Sequence, residues 1–444
     1  MSKDYYGGGG FGGGGFGGPE RARTRKAIDP SSALLLELES RPLVSRKRKC
    51  GGLLPTGPHR EYCRRIVPPS SMLGDPTAGV TNVLCHTCMN KARAAVHTCA
   101  WTPDGRRVLT GNHNGEFTLW NGMAFNFETL IAGHKSAVRS QAWSRNGRML
   151  ISADQDGVIL YWESTMTLVH KIPGTHGGQP VRALDFAPGD AKFVSCADDG
   201  TLRVWDWELY KEERQLLGHG SDVKSASWHP FFALVASGSK DSYVKLWDPR
   251  LADKKACIST LYGHKQTVQK VTWNMNGNWL LTGSRDHTVK LYDIRAAREP
   301  LAMGSKAGHQ THVTSLAWHP QHERLFASGD YAGALLFWVA GDEEPVARVE
   351  KAHDQAIWEM AWHPTVGHVL ATGANDTRTK FWCRKRPGDD LAPEGAAEMT
   401  RAPGESADGD DDDDDGAVAA AAASATTVTT VPPALTLPAS TTSS

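Results

Sequence analysis

An aromatic residue returns along the middle of this chain at a nearly constant interval: Trp120, Trp162, Trp205, Trp247, Tyr292, Trp338 and Trp382, 42 to 46 residues apart. A fixed period near 40–45 residues is the mark of a β-propeller, in which each repeat is one small sheet that buries its faces against its neighbours. Other positions keep step with the aromatic. Ten residues before it stands a hydroxyl, at Thr110, Ser152, Ser195, Ser237, Thr282, Ser328 and Thr372. Six before it stands a turn-forming Asn or Asp in six of the seven units: Asn114, Asp156, Asp199, Asp241, Asp286 and Asp376. Upstream, a histidine opens six units, at His134, His176, His219, His264, His309 and His353.

Each register has a physical task. Asp or Asn tolerates the tight turn between two strands. Its carboxylate can accept from the histidine ring, the ring can bond the buried hydroxyl, and the Trp indole N–H can join the same network. Repeated at blade spacing, these His/Ser/Asp sets are structural and not hydrolase triads. The expected fold is all-β, a seven-bladed WD-repeat β-propeller of four-stranded antiparallel sheets around a central channel, with a disordered N-terminal arm and C-terminal tail. Unit six carries Ala332 at the turn-acid position and unit one lacks the Gly-His, so both blades are expected to be looser. The β-compatible stretch from Val80 to Lys91 is expected to supply the outer strand of the last blade, removing an open sheet edge.

The formal charge is zero, yet it is unevenly spread. Residues 1–60 carry eleven Lys and Arg against five Asp and Glu, a net of +6, and residues 385–444 carry three against twelve, a net of −9. A basic arm points to an anionic partner. The boundaries read as a Gly-rich segment over 1–20, a basic arm over 21–79, the propeller over 80–389, and an acidic, Ala- and Thr-rich tail over 390–444. A short helix between Ala27 and Leu38 fits the Leu34–Leu36 run behind an Asp29 or Ser31 cap. Eight scattered cysteines fit a reducing compartment, and the sequence has neither an apolar run of membrane-spanning length nor a signal-peptide core. A soluble intracellular protein is expected, with no membrane partner, small-molecule substrate, metal or cofactor.

Several stretches go beyond a generic repeat. Unit one reads Trp101-Thr-Pro-Asp-Gly-Arg-Arg-Val-Leu-Thr-Gly, then Gly115-Glu-Phe-Thr-Leu-Trp-Asn-Gly, then Phe125-Asn-Phe-Glu-Thr-Leu. Unit five has Asn276-Gly-Asn-Trp-Leu-Leu-Thr-Gly-Ser-Arg-Asp, and the last unit ends Lys380-Phe-Trp-Cys-Arg-Lys-Arg-Pro-Gly-Asp. From Arg21 to Asp389 the chain resembles the WD-repeat subunit of the cleavage and polyadenylation specificity factor. That resemblance implies a nuclear, non-enzymatic scaffold that recognises the polyadenylation signal of pre-mRNA, alongside the zinc-finger and scaffold subunits of the complex. In that family two bases of the AAUAAA element pair with each other between two aromatic rings, and basic side chains grip phosphates. One ring comes from the position of Phe127. Arg25-Lys26-Ala27-Ile28-Asp29 matches the basic stretch of the arm, and Lys91 matches a lysine ahead of unit one. The second ring falls to Phe16, or failing that Phe11, and the basic residues of the family between that ring and Arg21 are absent here. The residues alone lead the same way: stacking and phosphate contacts are how single-stranded RNA is held, and Arg21, Arg23, Arg25 and Lys26 form a compact cationic arm beside Phe16.

Arg46-Lys47-Arg48-Lys49 is a basic cluster of the kind a nuclear-import receptor or RNA takes, or plain solvated charge. Cys85-His-Thr-Cys88 has the spacing of half a zinc site, but it falls in a predicted strand and the upstream Cys50–Cys63 gap is wrong for a zinc knuckle. The N-terminal glycine run lacks the Lys-Ser/Thr of a phosphate-binding loop. Trp247-Asp-Pro-Arg250 and Tyr292-Asp-Ile-Arg295 resemble the boxes by which substrate receptors dock on cullin-type ubiquitin ligases, a competing reading. A generic protein–protein scaffold that does not bind RNA is another.

Overall fold

The computed structural model describes residues 76–384, apart from 91, 252–254, 297–300 and 304–307. Twenty-eight strands form seven four-stranded antiparallel sheets. In blade one the inner strand Val96–Trp101 is followed outward by Arg107–Asn112, Glu116–Asn121 and Phe127–Ala132. The pattern repeats to blade seven, built from Ile357–Trp362, Val369–Ala374 and Arg378–Cys383. Its outer strand is Val83–Met89, in register from Val83↔Cys383 to Met89↔Arg378. Residues from ahead of blade one therefore close the ring, and no middle strand is left with a bare edge.

Burial falls from the middle of each blade to its rim. Every residue of Val369–Ala374 is buried, whereas four of five in the outer strand Leu168–Ile172 are exposed. The core is divided into wedges between neighbouring sheets. Leu109 and Phe117 of blade one meet Val138, Leu150, Leu160 and Trp162 of blade two. Cys88, Trp120 and Phe125 meet Val369 and Phe381 at the junction of blades one and seven. Each buried large side chain contributes about 1.5–3 kcal/mol.

The expected hydrogen-bond network is present as a relay. In blades two to seven the carboxylate accepts from histidine Nδ1 at 2.8–3.1 Å and Nε2 meets the hydroxyl at 2.5–2.8 Å; in every blade but five the hydroxyl oxygen accepts the Trp Nε1–H at 2.7–3.0 Å, so the relay is complete in five blades. Blade five substitutes Tyr292, whose hydroxyl donates to the Tyr262 carbonyl instead.

Two expectations need correction. Blade six is complete despite Ala332, because Asp330, two residues earlier, bonds His309. In blade two the acid is Asp154 and not the exposed Asp156. Asp154 and Asp330 each also accept two turn amides, from residues two and four further on. Blade one, which lacks the histidine, uses Asn112 in the same way, on the amides of Asn114 and Glu116. Gly333 belongs to this longer turn at φ 89°, where a Cβ would collide with the His353 carbonyl.

A further regularity was not read from the sequence. Every inner strand shifts register once, around its second residue. The bulged residues are His97, Arg139, Arg182 and Lys224 in blades one to four. In blades five to seven they are Gln269, Thr314 and Trp358.

Candidate nucleic-acid interface

Phe127 opens the outer strand of blade one, and the turn before it fixes its position. The Asn121 side chain accepts the amides of Met123 (3.0 Å) and Ala124 (2.9 Å), closing the chain into a tight turn. Phe125 sits at φ 55°, unusual for a bulky residue, and is held there by packing. Its buried ring stacks on Phe381 of blade seven at 4.3 Å and on His86 of the closing strand at 6.1 Å. Its carbonyl accepts the Cys88 thiol at 3.1 Å. The hairpin is thus pinned to the last blade, and the ring closure decides where Phe127 stands.

Phe127 lies opposite Trp120, its ring edge-on at 6.0 Å and 81°. The contact with buried Trp120 orients it, while 43% of the residue stays exposed. A fixed, half-exposed aromatic ring has little side-chain entropy left to lose on stacking against another flat ring. The adjacent Glu128 carboxylate is taken up by Arg107 Nε (2.7 Å) and Asn121 Nδ2 (3.0 Å), which offsets its charge beside a candidate phosphate path. Asn90 is buried and accepts the Thr118 hydroxyl at 2.8 Å, anchoring the residue before Lys91 to blade one.

Of the sequence-predicted RNA contacts, Phe127 alone falls among the described residues. Phe16, Arg21, Arg23, Arg25, Lys26 and Lys91 lie outside them, as do Arg46, Lys47, Arg48 and Lys49 and the helix expected between Ala27 and Leu38. What sequence reasoning missed is the clamp of His86, Phe125 and Phe381. Its only signal was a second Phe two residues before Phe127.

Cys85 and Cys88 lie in the closing strand and pack into the junction core. Burial pushes the Cys88 thiol up to about 12, so it stays a protonated donor, poorly suited to bind a metal. Arg250 and Arg295 each fold back in a two-pronged bond on Asp248 and Asp293, which braces the turn after a blade. Among the described residues no helix is long and apolar enough to cross a membrane.

Seven four-stranded sheets built on one repeated register define the class, and the model of the WD domain, G-beta repeat, matches residues 82–121, 126–163, 166–206, 210–248, 255–293, 303–338 and 344–383. This is a seven-bladed WD-repeat protein. It is 37% identical to Polyadenylation factor subunit 2 of Neurospora crassa, over 88% of this chain and 61% of that protein. The identity is 37% to the protein of that name in Gibberella zeae, over 75% and 57% of the two chains. It is 38% in Schizosaccharomyces pombe, over 83% and 75%. The chain belongs to the polyadenylation factor subunit 2 family. It spans about three-fifths of the Neurospora and Gibberella relatives.

Proposed function

We propose that this chain is a non-catalytic, RNA-binding scaffold subunit of the nuclear machinery that cleaves and polyadenylates pre-mRNA, and that it holds the polyadenylation signal jointly with a zinc-finger subunit. The observation that carries the reading is the half-exposed ring of Phe127, braced by Trp120 where the first and last blades meet. Family membership ties the fold to polyadenylation through the name its relatives bear. In this reading one base stacks on Phe127, worth about 1–3 kcal/mol, and Phe16 supplies the opposing ring. Arg21, Arg23, Arg25, Lys26 and Lys91 take phosphates, positioning the strand without reading its sequence. Arg46–Lys49 serves nuclear import. Cleavage and adenylation belong to other subunits.

The aromatic and the cations act by different physics, which makes them separable. With the zinc-finger subunit present, RNA affinity is measured against salt by fluorescence anisotropy. Arg25→Ala with Lys26→Ala should weaken binding and flatten the salt slope by up to about 0.7 for each phosphate no longer neutralised. Phe127→Ala should cost about 1–3 kcal/mol with the slope unchanged, and narrow the gap between signal-bearing and scrambled RNA. Equal slopes, with discrimination intact in both variants, would reduce the arm to solvated charge and the propeller to a scaffold.

A further inference from the structure

The seven bulged residues gather at one mouth of the channel, at the opposite end of the sheets from Phe127. In blade one Val96 pairs with Asn112 at that end, while Trp120 pairs with Phe127 at the other. A bulge re-aims the side chain of its extra residue, and here it does so in every blade. The blades differ in what they present. His97 touches Trp358 edge-on at 6.0 Å, and Trp358, Thr314 and Gln269 line a cavity of about 430 Å³ with His312 and Tyr331. Blades two to four present Arg139, Arg182 and Lys224.

These cations outnumber their local carboxylates. Asp198 accepts from both Arg182 (2.5 Å) and Lys224 (2.8 Å), and Asp222 serves Lys224 (3.0 Å) and, more loosely, Lys240 (3.8 Å). Arg139 has no carboxylate: its Nη2 donates to Gln155 Oε1 and its buried Nε finds no hydrogen-bond partner among the described residues. Two other buried polar atoms of the same ring stand likewise: Nδ1 of His97, a residue only 8% exposed, and Nε1 of Trp358. Buried donors without acceptors are rare and call for an explanation. Two of them, Arg139 Nε and Trp358 Nε1, stand at this mouth, and an anionic, hydrogen-bond-accepting ligand would satisfy both.

We propose that this mouth docks an extended acidic peptide segment of a partner protein, with a carboxylate on Arg139 and a neighbouring side chain in the cavity beside Trp358. A peptide fits better than a nucleic-acid strand. Asp198 and Asp222 alternate with the cations and would repel a continuous run of phosphates, whereas spaced carboxylates can avoid them. The site is separate from Phe127, which lies at the opposite end of blade one.

The test is fluorescence anisotropy on the full chain with a short labelled peptide of alternating Glu and Ala, its Gln/Ala counterpart, and an oligouridylate of equal length. The acidic peptide should bind more tightly than the neutral one. Arg139→Gln should weaken it about tenfold, the scale of one charge-assisted bond, and Arg139→Lys should restore part of the loss. Should Arg139→Gln lower the melting temperature, Lys240→Gln at an exposed position carries the same test, with a drop of about threefold. The arm variant Arg25→Ala with Lys26→Ala should leave peptide affinity within about twofold. The proposal is overturned if acidic and neutral peptides bind alike, if the arm variant and not the mouth variants lowers affinity, or if oligouridylate loses as much as the peptide in Arg139→Gln.

Discussion

The relay in blade two offers a sharp contrast between two acids two residues apart. Asp154 accepts from His134 Nδ1 (3.0 Å), from the Asp156 amide (3.0 Å) and from the Val158 amide (2.8 Å), and its side chain is 2% exposed. Asp154→Ala leaves a buried imidazole and two turn amides without their acceptor. At about 1–3 kcal/mol for each group left buried and unpaired, with partial rescue of the amides by solvent, the loss should total about 2–5 kcal/mol. For a chain of this size that corresponds to a fall of about 4–10 °C in melting temperature. Asp156→Ala removes an exposed carboxylate outside the relay and should stay within about 0.5 kcal/mol of the parent. Burial raises the Asp154 pKa, but the His134 bond and the turn amides outweigh it and hold the carboxyl below its ordinary value. A carboxylate depressed on folding stabilises above its unfolded pKa, and that contribution fades as pH falls below about 4. The gap between parent and Asp154→Ala should therefore be full at neutral pH and shrink on acidification. Thermal melts followed by circular dichroism across pH test this. If both variants melt together, or Asp154→Ala melts with the parent, the reassignment of the acid is wrong.

Removing residues 1–95 takes away the closing strand and leaves Arg378–Cys383 as a bare edge, so the 96–444 chain, or its 96–389 fragment, should aggregate. Size-exclusion chromatography checks this, and a soluble, monodisperse fragment would count against the closure. Gly333→Ala should destabilise blade six, since its φ of 89° and the His353 carbonyl leave no room for a methyl group. A melting temperature equal to the parent's would show that this turn can relax.

The propeller was legible because its signal repeats: each register ties a residue type to a backbone task, and the ring follows from seven such units. The acids of blades two and six were misread for a reason that lies in strand geometry. Residues i and i+2 point to the same face, so Asp154 and Asp330 reach the same histidine as an acid two places on, provided the turn amides can cap their other oxygen. Spacing alone does not show which of two in-phase positions is used. The bulges escaped because one extra residue leaves the apolar period intact on both sides of it. Phe127 was placed by resemblance and not by periodicity. Its clamp joins Phe125 to Phe381, from opposite ends of the propeller sequence, a pairing that no local pattern encodes.

The closing strand has a consequence for how the protein is made. Val83 pairs with Cys383, so among the described residues the first strand to leave the ribosome waits for the last. Chains fold from the N-terminus as they emerge, and blades one to six can assemble in order, but blade seven and the Phe125 clamp cannot form until the third strand of that blade is out. Phe127 is therefore brought to its final setting only in a finished ring. A truncated or stalled product would carry an unpaired strand at its front and an unclamped platform at its rim. The junction thereby makes the setting of Phe127 a report on the completeness of the chain that bears it.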